Sequence, residues 1–143
     1  MVDSRGNPRQ RRSNLGHYLV AESNIFREQD PEQGLGVYGP VGVANPKLNQ
    51  FGMFAGGGLM YTGPRSWRAD QVGLGVATAV NGGNYKDATP GAKSAETNFE
   101  LSYRMQVFPW LAVQPDLQFV LKSGTDPPVD NAAVFACRFE TSF

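Results

Sequence analysis

The sequence contains no run of about 18 consecutive apolar residues, the length a helix needs to cross a bilayer. Mean hydropathy is −0.35, although 41% of the 143 residues are hydrophobic. A helical membrane span is excluded, but strands that alternate apolar and polar residues average to the same modest value and are not. Cysteine occurs once, at Cys137, which excludes an internal disulfide and a Cys-based zinc site. Charge of one sign is not in excess: 13 Lys and Arg balance 13 Asp and Glu. That balance removes the general electrostatic case for nucleic acid as a partner. HExxH, GxSxG and P-loop patterns are all missing, so no catalytic motif supports an enzyme, and no cofactor or metal is implied.

The start, MVDSRGNPRQRRSN, lacks the apolar stretch of a secretory signal. It reads either as the start of a mature form or as a frame that opens partway through a larger gene. Its arginines Arg5, Arg9, Arg11 and Arg12 fit a solvated tail better than a nucleic-acid arm. The chain therefore divides into a tail or external loop at 1–14 and a β-segment at 15–143.

What the sequence does have is turns and alternation. Glycine at 17 and proline at 10 favour turns over helix. From Leu111 to Leu121 the odd positions are apolar apart from Pro115, and the even ones are mostly polar. That is the period of a strand, and Pro109 and Pro115 would break a helix. Thr97 to Val107 alternates likewise and leads through a tight turn at Pro109 into the next strand, forming a hairpin. A last alternating stretch runs from Ala133 to Phe143. Upstream, Leu35–Ala44, Met53–Thr62 and Val72–Val80 read as Gly-rich strands, with His17–Arg27 as a first strand whose faces are poorly separated. Seven strands of about 9 to 13 residues suit a tilted crossing of a bilayer. Short connections at Arg27–Gln33, Gly63–Asp70 and Pro109 fall at one end of the sheet. Longer ones at Asn45–Gln50, Asn81–Ser94 and Lys122–Asp130 fall at the other. The fold class expected is all-β, an antiparallel transmembrane β-barrel of which about seven strands are present.

Three sharper readings are weaker than they look. Gly34, Gly36 and Gly39 spell GxGxxG, but a dinucleotide site needs a helix to follow, and the motif here lies within an alternating strand. His17 has no metal-like company. Glu100 and Asp116 could form a glycosidase-type carboxylate pair, yet both take the polar parity of adjacent strands, where a water-filled interior would solvate them. Glu100, Arg104, Gln106, Gln114, Asp116, Gln118 and Arg138 are accordingly the candidate lumen-lining, substrate-contacting residues. Mixed charge and amides suit neutral polyhydroxyl solutes, whereas an ion-selective pore would carry one sign. Phe99, Phe119 and Phe135 are expected in an outer aromatic belt, and Tyr61 and Phe143 near the inner one.

The stretches GHYLVAESNIFRE, GLGVYGPVGVA, GGLMYTGPRSWRADQVGLGVA, ELSYRMQVFPWLAVQPDLQFVLKSGTD and AAVFACRFETSF resemble the C-terminal part of carbohydrate-selective outer-membrane porins of the OprB type. The resemblance implies passive, selective diffusion of sugars across the bacterial outer membrane. It also implies an assembly signal at Phe143, read by the barrel assembly machinery. Porin barrels have about 16 to 18 strands, so seven strands need an upstream half or a homo-oligomer to complete the sheet within outer-membrane lipid. Two other readings stay open on periodicity alone: a non-conducting structural barrel segment completed by a partner, and a soluble ligand-binding β-barrel with its apolar face inward.

Overall fold

The computed structural model describes residues 13–30, 32–63, 70–126 and 128–142. Seven strands make one sheet: β1 (Gly16–Arg27), β2 (Gly34–Ala44), β3 (Phe51–Thr62), β4 (Gln71–Asn81), β5 (Ala95–Phe108), β6 (Leu111–Leu121) and β7 (Ala132–Thr141). Each pairs antiparallel with its sequence neighbour, in the order β1 to β7. Among the described residues the sheet is open, with β1 and β7 at its edges. The expected strands are all present, within a few residues at their ends.

The longest connection is not wholly irregular. It holds a short helix, α1 (Gly83–Ala88), where the sequence reads as a loop. Six residues that begin at Gly83, after the N-cap Gly82, carry too little apolar periodicity to announce a helix. Most of the Gly63–Asp70 connection, and the tail up to residue 12, lie outside the described residues.

The register sorts the side chains into two faces. One row across the strands runs Glu22, Tyr38, Gly58, Gly75, Glu100, Gln118, Val134. On the opposite face Phe99 lies beside Phe119, and Leu101, Leu117 and Phe135 form a line. Every Asp, Glu and Arg inside the seven strands takes the first face: Glu22, Arg27, Glu96, Glu100, Arg104, Asp116, Arg138 and Glu140.

Arg27 reaches that face only through an irregularity. Strict alternation from Asn24 would turn Phe26 to the polar side and Arg27 to the apolar side. A bulge between Asn24 and Phe26 instead pairs Phe26 with Leu35 and Arg27 with Gly34, exchanging the two. Gly34, at φ 154°, permits the close approach, since a Cβ there would strike the Phe26 carbonyl. This bulge is also why the faces of the first strand look blurred in the sequence. A second bulge, between Gln106 and Phe108, sends Phe108 to the apolar face, where its ring stacks on Trp110 at 5.4 Å.

The sheet encloses no hydrophobic core of its own. Ala112 is the one buried apolar residue among those described, while Phe135 is 74% and Phe139 67% exposed. The accessible surface is 10152 Å², against about 7,200 Å² for a folded globular protein of this mass. An apolar face this exposed needs an apolar environment.

Candidate functional site: the polar face of the sheet

Strands β5, β6 and β7 bring most of the sequence-derived candidates together. Glu100 pairs with Gln118, Ser102 with Asp116, Gln106 with Ala112, and Gln114 with Arg138. Antiparallel pairing sets such cross-strand neighbours about 5 Å apart, with diagonal ones still in reach of long side chains. Gln118 is the hub: its Nε2 donates to Asp116 Oδ1 at 2.8 Å, and its Oε1 accepts from Asn98 Nδ2 at 3.2 Å. Glu100 and Asp116 are diagonal neighbours across β5 and β6, as Asp116 and Arg138 are across β6 and β7.

Arg104 is paired as well. Its Nη2 lies 3.2 Å from Glu140 Oε2, and its Nε 3.4 Å from the same oxygen. Gln106 turns toward the hairpin, donating from Nε2 to the Phe108 carbonyl at 2.7 Å. The polar face of β5–β7 thus holds an Asn98–Gln118–Asp116 cluster and a separate Arg104–Glu140 ion pair, with Glu100 across from Gln118 and Gln114 across from Arg138. Phe143 lies outside the described residues.

The other half of the same face has a different character. Between Glu22 on β1 and Glu96 and Glu100 on β5, strands β2, β3 and β4 contribute Gly36, Tyr38, Gly42, Gly56, Gly58, Gly73 and Gly75, with no charged residue. The GxGxxG glycines fall in β2, so no helix follows them and no dinucleotide loop exists there. His17 takes the apolar parity of β1, opposite Val43.

Sequence reasoning missed three features. Glu22, Asn24 and Tyr38 were hidden because β1 mixes its faces and β2 has few polar residues; carrying the parity of β5 back through the register would have found them. Asp70 is buried at the short-turn end, where it accepts from Tyr103 Oη at 2.7 Å and from the Gln106 amide at 3.1 Å. At the long-loop end, Asn81 Nδ2 donates to the Lys93 carbonyl and to the fully buried Thr125 Oγ1, at 2.8 and 2.7 Å. The Lys93 amide answers with a bond to the Thr125 carbonyl at 2.9 Å, so two of the long loops are tied to the top of β4. No spacing rule announces a three-residue tie of this kind.

The comparisons with known proteins agree with this geometry. Porin B of Pseudomonas aeruginosa is 29% identical over 152 aligned residues, covering 93% of this chain and 34% of that protein. The high-pH structure of OprB from Pseudomonas putida superposes with a TM-score of 0.86 at 26% identity, covering 99% of this chain and 40% of that one. This chain therefore spans about a third of the length of the curated relative it matches. The seven-stranded antiparallel sheet is that of the porin barrel wall. The profile of the carbohydrate-selective porin family, OprB family, matches residues 2–143, and the chain belongs to that family, which consists of transport channels rather than enzymes.

Proposed function

We propose that the sheet is one side of an outer-membrane channel wall, along whose polar face carbohydrates diffuse passively. The carrying observation is the one-sidedness of charge: all charged residues within the strands share the face opposite Phe99, Phe119 and Phe135. An Arg turned to lipid at mid-depth costs about 2 to 4 kcal/mol, so the polar face belongs to water. Glu100, Arg104, Gln106, Gln114, Asp116, Gln118 and Arg138 line that interior. Because the set holds both donors and acceptors, it can replace part of a sugar's hydration without holding it so tightly that transit stops.

The unpaired backbone groups of β1 and β7 cannot face hydrocarbon, so further strands complete the cylinder. Phe143 serves as a mark for the assembly machinery. A soluble ligand-binding barrel is the weaker reading, because it would bury the apolar face that stands exposed here.

The test is liposome swelling by the complete protein, with sugars of increasing size. Swelling that is graded by sugar size is the expected result. A detergent-free soluble monomer, or a membrane-inserted barrel impermeable to sugars, would overturn the proposal.

A further inference from the structure

Gly36 forms the floor of a hollow of about 410 Å³ on the polar face, ringed by Glu22 and Asn24 of β1, Tyr38 of β2 and Met60 of β3. The hollow exists because the middle of the Asn24–Gly36–Met60 row has no side chain. Even a Cβ there would come within 3.3 Å of Asn24 Oδ1.

Tyr38 forms one wall and does not stand upright. A Cβ on Gly58 would fall 2.6 Å from its Cζ, and one on Gly75 2.9 Å from its hydroxyl. The two glycines let the phenol lie along the wall across β3 and β4. The ring is thereby braced from one side and remains 44% exposed on the other.

We infer that this hollow is a subsite for a neutral pyranose. The inference rests on the sugar-channel reading and deepens it by naming a place and a ligand class. A pyranose has C–H faces and a hydroxylated edge. The Tyr38 ring and the Met60 side chain suit the faces. The Glu22 carboxylate accepts from hydroxyls, while the Asn24 amide both donates and accepts.

Among the described residues no Lys or Arg lines this hollow, and a sugar phosphate would meet the Glu22 charge. A smaller hollow of about 80 Å³ shares Asn24, Gly36 and Met60 and continues toward Arg27 and Glu32 at the short-turn end. The site is therefore open along the strands, as a station on a path must be if bound solute is to leave again. Its volume falls within the range of small-molecule sites, about 300 to 1,000 Å³.

The experiment measures block of ion current by D-glucose in planar bilayers containing the complete protein. Tyr38→Ala should weaken the apparent sugar affinity by about threefold to tenfold, the value of an aromatic contact. Tyr38→Phe should keep most of the affinity, because the hydroxyl is turned to the glycine floor. Glu22→Gln, a near-isosteric change on the polar face, should weaken glucose block while the barrel still assembles, and it carries the test if Tyr38→Ala fails to insert. Glucose block in the wild type that Glu22→Gln and inserted Tyr38→Ala both leave unchanged would overturn the subsite alone. A wild-type channel that conducts ions and shows neither block by nor passage of sugars would overturn the sugar-channel reading, and the subsite with it.

Discussion

Arg104 on β5 reaches across β6 to Glu140 on β7, with Nη2 and Oε2 3.2 Å apart. Between them, in the register, lies Ala112, paired with Gln106 on one side and Glu140 on the other. A large side chain at 112 would obstruct this bridge, and Ala112 is correspondingly buried. The bridge is half in water, with Glu140 62% exposed, so its contribution to stability is at most about 1 kcal/mol. Replacing Arg104 or Asp116 with alanine should therefore change sugar permeation more than thermal stability. Liposome swelling set beside a heat-modifiability curve reads both quantities. Unchanged permeation with a large loss of stability would refute a role in the passage.

Adjacent positions 118 and 119 offer a test of which face meets lipid. Phe119→Arg should cost about 2 to 4 kcal/mol if that side chain lies in hydrocarbon, and Gln118→Arg much less, since its neighbours already include Asp116 and Glu100. Urea unfolding from lipid vesicles measures the difference. Equal penalties would contradict the assignment of faces.

Cys137 pairs with Pro115 on the apolar face of β7 and is exposed. In the assembled protein it should react with a lipid-soluble maleimide and resist a charged one. Rapid labelling by the charged reagent in intact vesicles would place that face in water instead.

At the long-loop end, Thr125→Val removes the acceptor of the Asn81 amide at a fully buried position. Leaving a buried donor unpaired costs about 1 to 3 kcal/mol. The expected readout is faster proteolysis within residues 82–94, with the strands still protected. Unaltered cleavage would mean that the tie does not hold the loops.

The strands that were easiest to read in the sequence are those whose two faces meet different surroundings. In β5, β6 and β7, apolar residues recur at every second position over most of each strand, because one face is apolar and the other carries Glu100, Asp116 and Arg138. In β2–β4 glycine stands on the polar parity, so alternation survives only as apolar against small, and the hollow beside Tyr38 left no trace. Helix α1 and the Asn81–Thr125 tie depend on loops meeting in space, which pattern reading along one strand does not report. In β1 the obstacle was the single extra residue at Ile25.

That extra residue has a consequence for which length changes this wall can accept. Removing one residue from the regular part of a strand, Ala21 for example, would reverse every side chain on one side of the cut, carrying charge toward lipid or apolar groups toward water. Removing Ile25 would not: Asn24, Phe26 and Arg27 would then alternate directly, with the same orientations that the bulge now gives them. Single-residue deletions should thus be accepted at Ile25 and Val107, where the ladder already holds one residue too many, and rejected elsewhere in β1 and β5. A deletion scan scored by outer-membrane assembly would show two isolated permissive positions within otherwise intolerant strands. Over evolutionary time, the family's insertions and deletions should collect in loops and at such points, while the spacing between them stays fixed in even steps.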